Sequence, residues 1–282
     1  MGGRIAGGVA TFRVWAPAAK CVQVVGDFGE VALEKRGEFW EGECSASVGD
    51  LYHFLVDGKE KCDPYGLSGE LRPGWRSRLV EMPKRAVWER KSSEAINIYE
   101  VHLGSWSCDG MVFRGYAEIA RELAEYCGKL GYTHVEVMPV MAHQFDESWG
   151  YQVTGYFASS SRFGYPSDLQ EFVKILHEAG IGVIFDWVPA HFPKNAHALA
   201  KFDGTPLFEY SDPKRGEHPE WETLVFDFGS EKVCEFLLNS ALYWLEVMGG
   251  DGLRIDAVYS MLYHSYMRKD GEWLPNKDGG HE

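Results

Sequence analysis

The chain has 282 residues, of which 45% are hydrophobic and 14% aromatic, and its formal net charge is −14. An acidic chain without basic clusters is poorly suited to bind nucleic acid or an anionic membrane surface, so both classes of partner are excluded. The length allows one large domain, or a small domain followed by a larger one.

The six cysteines are scattered along the chain without a C-x-x-C pair, which indicates reduced thiols in a cytoplasmic protein. The N-terminal stretch lacks the long apolar segment of a signal peptide. No apolar run in the sequence is long enough to span a membrane. These features together predict a cytoplasmic protein.

The first strand signals are short runs rich in Val, Phe, Tyr and Trp at residues 9–16, 21–25 and 51–56. Glycine and proline punctuate these runs, as is typical of small all-β domains. The spacing predicts a β-sandwich module. Residues 63–91 contain several prolines and arginines and indicate a linker, so the module with its linker is predicted over residues 1–90.

Strands alternate with helices from about Ala95 onward. The strands are predicted at residues 96–103, 132–138, 181–187 and 253–255. Helical spacing of apolar residues predicts helices over residues 116–130, from 167 to 180, and over 231–248. In the second of these helices, Ser167 and Gln170 fit a capping box.

Such alternation implies a parallel sheet with right-handed crossovers, for which a doubly wound sheet and a (β/α) barrel both fit. The barrel is favoured because polar, aromatic and charged residues gather just after the strand ends, where barrel enzymes keep their sites. No G-x-G-x-x-G sequence or Walker loop follows a strand, so nucleotide binding has little support.

The segment DGLRIDAVYSM at residues 251–261 is predicted to contain a short buried strand with a charged pair. Arg254 and Asp256 are two residues apart, so on a strand they point to the same side. The arginine favours the ionised form of the carboxylate, which makes Asp256 a candidate nucleophile. An isolated R-x-D pattern is more often a structural ion pair, and the other segments reverse that preference.

Two further segments are predicted to reach the same rim of the sheet. The sequence SWGYQVT, which contains Tyr151, lies after the second predicted strand of the alternating part. The sequence DWVPAHF ends the third strand and contains Asp186 and His191. Two carboxylates, an arginine, a histidine and a tyrosine are therefore expected at one rim.

With these segments the chain resembles the α-amylase superfamily of glycoside hydrolases, and within it the bacterial glycogen branching enzymes. DWVPAHF and DGLRIDAVYSM are similar to signature regions of the superfamily. SWGYQ, EYSDPKRGEHPEW (residues 209–221) and RKDGEWLPN (residues 268–276) are similar to the branching-enzyme pattern. FRVWAP and VVGDF resemble the glycan-associated module that precedes the barrel in these enzymes.

The resemblance implies a role for each candidate residue. Asp256 would be the nucleophile that forms a covalent glucosyl-enzyme intermediate, and Arg254 would hold it ionised and oriented. His191 would hydrogen-bond the sugar next to the scissile bond, and Tyr151 would stack on that sugar. Asp186 would orient Arg254 and shape the pocket.

The implied activity is that of a glycosyltransferase in glycogen biosynthesis. It would cut an α-1,4-glucan such as glycogen or an amylose-like chain and rejoin it as an α-1,6 branch, by a retaining covalent mechanism. Glycosyl transfer needs no metal or organic cofactor, and none is expected.

The resemblance also predicts the fold class: a β-sandwich module, followed by the first half of a (β/α)8 barrel over residues 91–282, truncated after about the fourth strand. The general acid of the family lies on a later strand, so this chain alone is expected to lack turnover, and the missing half of the barrel is an expected partner. Two alternatives stay open: a related trehalose-releasing or debranching hydrolase, and a non-catalytic glucan-binding product.

Overall fold

The computed structural model describes residues 1–86, 95–106, 108–109 and 112–281. The first 86 residues form short strands. They are β1 (Gly2–Ala6), β2 (Val9–Trp15), β3 (Val22–Gly26), β4 (Gly29–Ala32), β5 (Glu34–Arg36), β6 (Phe39–Ser45), β7 (Leu51–Val56), β8 (Lys59–Lys61) and β9 (Ser77–Arg78).

These strands form two antiparallel sheets with the orders β1-β2-β6-β5 and β4-β3-β7-β8, and β9 pairs with β7. The predicted strands correspond to β2, β3 and β7, which are confirmed. Phe12 on the first sheet contacts two rings of the second, with its ring centroid 5.3 Å from that of Tyr52 and 6.4 Å from that of Phe54. The two sheets therefore share one apolar core.

The remaining strands lie after residue 95. They are β10 (Ile98–Val101), β11 (Cys108–Asp109), β12 (Val112–Phe113), β13 (His134–Val137), β14 (Met141–His143), β15 (Val153–Ser159), β16 (Gly182–Trp187), β17 (His191–Phe192), β18 (Glu217–His218), β19 (Thr223–Val225) and β20 (Gly252–Ile255). The helices are α1 (Leu103–Trp106), α2 (Tyr116–Leu130), α3 (Pro166–Glu178), α4 (Pro213–Gly216), α5 (Glu231–Leu242) and α6 (Val258–Leu262).

A parallel sheet with the order β10-β13-β16-β20 organises this part of the chain. Each strand pairs with the next predicted strand along the sequence, so the four predicted parallel strands are confirmed. The carboxyl ends of all four strands lie at one edge of the sheet. The segments that follow the strands therefore start from that edge.

Local sequence accounts for both the buried face and the C-terminal end of helix α2. Ile119, Leu123 and Cys127 are fully buried on one face, and Gly131 ends the helix with φ = 77°. The left-handed conformation suits glycine and lets its N–H donate to the carbonyl of Cys127. The predicted bounds of this helix are confirmed.

The predicted capping box of α3 is wrong. The helix begins at Pro166, one residue before Ser167, because proline fits the first helical position. The carboxylate of Asp168 accepts the backbone N–H of Tyr165 at 2.7 Å. The side chain of Gln170 instead donates to the carbonyl of Val247, at 2.7 Å.

The helix predicted over residues 231–248 is present, and it changes type along its length. It is α-helical through α5 and then becomes a π-helix over Tyr243–Val247. Trp244 in this widened turn is 1% exposed, and its indole N–H donates to the carbonyl of Tyr156 at 2.9 Å. Apolar periodicity cannot distinguish the two helix types, because the π turn adds only one residue.

The prediction that the strand containing Arg254 is buried is also wrong. Strand β20 is an edge of the parallel sheet in the described part of the chain, and Ile255 is 45% exposed. An edge strand has a neighbour on one side only, so an apolar sequence alone does not bury it.

The antiparallel and parallel parts contact each other through aromatic rings and one lysine. The ring of Tyr65 stacks on Phe157 with centroids 5.0 Å apart. Lys61 is 2% exposed, and its Nζ donates to the carbonyls of Ala196 and Ala200 at 2.6 and 2.7 Å. The predicted boundary at residues 90 and 91 lies outside the described residues, as does the end of the predicted linker.

Within the described ranges, no helix is both long and apolar enough to cross a bilayer. The five cysteines whose side chains the structure describes are free thiols.

Candidate active site

An ion pair joins β16 to β20 at the carboxyl edge of the parallel sheet. Asp186 and Arg254 are direct partners in the register of the two strands. The Nη1 of Arg254 donates to Oδ1 and Oδ2 of Asp186 at 3.0 and 3.1 Å. The Asp186 side chain is 1% exposed and that of Arg254 is 40% exposed, so the pair runs from the interior to an open surface.

Asp256 shares the same guanidinium nitrogen. The Nη1 of Arg254 donates to Oδ1 of Asp256 at 2.6 Å, as the spacing of two residues on a strand predicts. The backbone N–H of Asp256 donates to the carbonyl of Trp187 at 2.9 Å and so fixes the main chain where β20 ends. One arginine thus bridges two carboxylates, of which Asp256 is the more exposed at 16%.

Tyr151 is the fourth member of this network. Its hydroxyl donates to Oδ2 of Asp186 at 2.7 Å, and its ring centroid lies 5.9 Å from the Cζ of Arg254. Burial, followed by the neighbouring Asp186 carboxylate, raises the pKa of the Tyr151 hydroxyl. The phenol is therefore a hydrogen-bond donor at neutral pH.

The charge of the network is set by the burial of Asp186. Burial raises the pKa of Asp186 to about 6, against the opposing effect of the hydrogen bonds from Tyr151 and Arg254. Two carboxylates share one guanidinium, so the second negative charge also opposes ionisation of Asp186. Arg254 is consequently held between an interior carboxyl group and a carboxylate nearer to solvent.

His191 is held by residues other than those of this network. Its strand β17 pairs with β19, and its carbonyl accepts the hydroxyl of Tyr156 at 2.8 Å. Burial lowers the pKa of His191 to about 4, so the imidazole is neutral at pH 7. Among the described residues its Nδ1 has no hydrogen-bond partner.

Two aromatic residues that the sequence reasoning did not select lie beside His191. The ring of Trp221 is 4.9 Å from that of His191 and is stacked on His218 with centroids 4.0 Å apart. Both belong to the run 209–221, which was recognised only as a family motif. A tryptophan inside a charged loop rather than in an apolar run was the available signal.

The structure thus unites Tyr151, Asp186, Arg254 and Asp256 in one hydrogen-bonded network. His191 is placed with Trp221 and His218 instead. The first group holds a carboxyl group near solvent at the carboxyl end of a parallel strand, a suitable position for a nucleophile. The second group offers a neutral nitrogen beside an aromatic surface.

Comparison with known proteins relates this chain to the alpha-amylase family. Residues 118–215 match the family described as alpha amylase, catalytic domain. The chain is 48% identical to the 1,4-alpha-glucan branching enzyme of Hydrogenovibrio crunogenus, a match that covers 96% of this chain and 41% of that protein. It is 47% identical to the enzyme of the same name from Aromatoleum aromaticum, over 97% of this chain and 47% of that protein.

Solved structures agree with this family. A putative alpha amylase from Salmonella typhimurium has a TM-score of 0.78 at 25% identity, covering 92% of this chain and 44% of that one. A pullulanase from Anoxybacillus sp. LM18-11, complexed with maltotetraose, has the same fold with a TM-score of 0.76 at 22% identity, covering 90% of this chain and 44% of that one. The parallel sheet is therefore consistent with a partial α/β barrel of the alpha-amylase family.

The resemblance carried by the sequence motifs is confirmed over nearly the whole chain, and the chain spans less than half the length of the curated relatives it matches.

Proposed function

We propose that this chain is the first part of a 1,4-α-glucan branching enzyme, which cuts an α-1,4-glucan and rejoins it as an α-1,6 branch in glycogen synthesis. The observation that carries the proposal is the guanidinium of Arg254 between Asp186 and Asp256 at the carboxyl edge of a parallel sheet. The two branching enzymes named above, at 48% and 47% identity, favour branching over hydrolysis.

We also infer the finer architecture. The two antiparallel sheets and the segment after them would form a β-sandwich module with its linker over residues 1–90. The sheet β10-β13-β16-β20 would be the first half of an eight-stranded barrel over residues 91–282. Support comes from its strand order, which follows the chain order as in a barrel, and from the open edge at β20. The free thiols fit a cytoplasmic location.

Asp256 would act as the nucleophile. A carboxylate oxygen of Asp256 attacks the anomeric carbon of the donor glucan, and the bond to the leaving glycosidic oxygen breaks as a general acid protonates that oxygen. The 6-hydroxyl of an acceptor chain then attacks the same carbon, breaks its bond to Asp256 and loses its proton to the conjugate base of that acid. Two displacements retain the α configuration.

Arg254 and Asp186 would hold the side chain of Asp256 in position for attack. Arg254 donates to Oδ1 of Asp256 at 2.6 Å, which fixes the direction of this carboxyl group. Asp186, at 1% exposure, has its lone pairs directed to Arg254 and Tyr151 and so orients the guanidinium rather than meeting substrate.

Tyr151 and His191 would contact the sugar. The hydroxyl of Tyr151 is held by Asp186, which leaves the ring face as its binding surface. The neutral His191 can donate from one ring nitrogen and accept at the other, as sugar hydroxyls require.

A retaining enzyme needs a second carboxylic acid about 5–5.5 Å from the nucleophile. Asp186 is unsuited to this role because it is buried and hydrogen-bonded to the same arginine as Asp256. We place the acid in the portion that the relatives have beyond this match. We accordingly expect no turnover from this chain alone.

The test compares this chain with the complete protein on amylose. We expect the complete protein to lower the iodine absorbance and to create linkages that a debranching enzyme cleaves. Shortened chains with new reducing ends and without new branches would instead identify a hydrolase. Branching by this chain alone would refute our assignment of the acid.

A further inference from the structure

One exposed tryptophan stands out beside the network. Trp149 is 60% exposed and is the most exposed tryptophan in the described part of the chain. It lies two residues before Tyr151, so their Cα atoms are within about 7 Å of each other. Its ring centroid is 6.4 Å from that of His102, which directly follows β10. The indole therefore lies at the carboxyl edge of the parallel sheet.

The backbone of Trp149 is strained. Its φ of 55° lies in the left-handed region, which is unfavourable for a bulky side chain. A tryptophan in this conformation is retained only where the surrounding structure enforces it, and such strain concentrates at functional sites. An ordinary surface position would accept glycine or asparagine at a lower energetic cost.

The loop around Trp149 enforces this conformation. The N–H of Trp149 donates to the carbonyl of Asp146 at 2.9 Å. The next residue, Gly150, has φ = 96°, and a Cβ there would lie 2.4 Å from the carbonyl oxygen of Pro139. Only glycine fits that position, so the chain cannot relax on the far side of Trp149.

The other end of the loop is anchored by charge. The Nε of Arg162, whose side chain is 5% exposed, donates to Oδ1 of Asp146 at 2.9 Å. Arg72, from the segment after the antiparallel sheets, also pairs with Asp146. A buried arginine and a second part of the fold thus fix the loop that carries Trp149.

We propose that Trp149 is a stacking platform for a glucose unit of an α-1,4-glucan, adjacent along the bound chain to the unit that Tyr151 contacts. This inference rests on the proposed function. An indole face stacks on the C–H face of a pyranose with little loss of backbone entropy, because the loop that carries Trp149 is already fixed. The platform would extend binding away from the reacting carbon.

The experiment measures binding of maltoheptaose to this chain by calorimetry, with the β-1,4-linked cellohexaose as the control ligand. Trp149→Gly removes the ring and also suits φ = 55°, so the variant should unfold at an equal or higher temperature. We expect its Kd for maltoheptaose to rise about tenfold, the loss of one aromatic contact. Cellohexaose should bind neither protein.

Phe145→Ala is the matched control, because Phe145 is a ring of the same loop that is 50% exposed. It should leave the Kd unchanged. Maltoheptaose should also slow oxidation of Trp149 by N-bromosuccinimide, as mapped by mass spectrometry. A Kd in Trp149→Gly equal to that of the wild type would overturn the platform.

A third variant separates this inference from the proposed function. If Tyr151→Ala weakens maltoheptaose binding and Trp149→Gly does not, the glucan site stands and the platform is wrong. If the wild-type chain does not bind maltoheptaose, or binds cellohexaose equally, the platform is wrong and the proposed substrate class fails with it.

Discussion

Two tyrosine–aspartate pairs, one in each part of the molecule, have the same geometry and different surroundings. In the antiparallel part the hydroxyl of Tyr52 donates to Oδ2 of Asp63 at 2.7 Å. In the parallel part the hydroxyl of Tyr151 donates to Oδ2 of Asp186, also at 2.7 Å. Both carboxyl groups belong to residues that are only 3% exposed.

The additional partners distinguish the two pairs. Asp63 also accepts the backbone N–H groups of Gly3 at 2.6 Å and Tyr65 at 2.9 Å, so fixed main-chain donors surround it. The additional partner of Asp186 is Arg254, which is 40% exposed and also binds Asp256. The Tyr52–Asp63 pair therefore holds parts of the fold together. The Tyr151–Asp186 pair is instead connected by the guanidinium of Arg254 to Asp256, which solvent can reach. Buried tyrosine–aspartate geometry alone therefore does not indicate function.

The largest expected effect is the loss of transfer activity on changing Asp256. In the complete protein, Asp256→Asn should lower branching by about 10³-fold or more, because an amide is a poor nucleophile. The iodine absorbance of amylose over time measures this. Thermal unfolding should change little, and Asp270→Asn, at an exposed site, should keep full activity. Comparable loss in both variants would remove Asp256 from the mechanism.

The second effect is a difference in the free energy of unfolding between the variants Asp63→Asn and Asp186→Asn. Asp63→Asn should lower the free energy of unfolding by about 3 kcal/mol, because its amide would direct N–H groups at fixed backbone donors. Asp186→Asn should change it by less than about 1 kcal/mol at pH 7, because Arg254 can turn toward Asp256. Urea unfolding of both variants measures the difference. Equal losses would show that Asp186 is as structural as Asp63.

A smaller effect is expected from the paired hydroxyl groups. Tyr52→Phe should cost about 1.5 kcal/mol of unfolding free energy, because Tyr52 is fully buried and its loss leaves Asp63 short of a donor. Tyr151→Phe should cost about 0.5 kcal/mol, because Asp186 keeps Arg254. Urea unfolding again provides the measurement. A larger cost for Tyr151 would reverse the comparison.

Local sequence patterns predicted the parts of the fold that depend on local chemistry. The periodicity of α2 and the glycine that ends it specify that helix without help from distant residues. The i, i+2 spacing of Arg254 and Asp256 likewise predicts their hydrogen bond, because strand geometry alone brings them together.

The features that were missed depend on pairing with a neighbouring segment rather than on the pattern of one strand. Strands β5 (EKR) and β8 (KEK) are polar, so only their sheet partners identify them as strands. The pair β14–β15 lies in what the sequence suggests is a loop, and it forms through antiparallel pairing with irregular register. Trp221 lies in the turn of the β18–β19 hairpin and stacks on His218 of the same hairpin. No single-strand pattern encodes these contacts.

The last expected effect is a pH dependence of stability carried by Asp186. Its pKa is raised to about 6 in the folded protein, above the ordinary value of an unfolded aspartate near 4. Between these values the folded state binds more protons than the unfolded state, so stability falls as pH rises from about 4 to about 6. The shift is opposite to that of a salt-bridged surface carboxylate.

Asp186→Asn cannot titrate, so its stability relative to the wild type should rise across this window by about 3 kcal/mol, the equivalent of a pKa raised from about 4 to about 6. Urea unfolding of both proteins at pH 4, 5, 6 and 7 isolates the contribution, since all other groups cancel in the difference. If the variant instead becomes less stable relative to the wild type as pH rises, the attraction of Arg254 exceeds the cost of burying the charge. Asp186 is then ionised over the whole range. The site would then carry two full negative charges around one arginine, and the contrast with Asp63 would rest on solvent access alone.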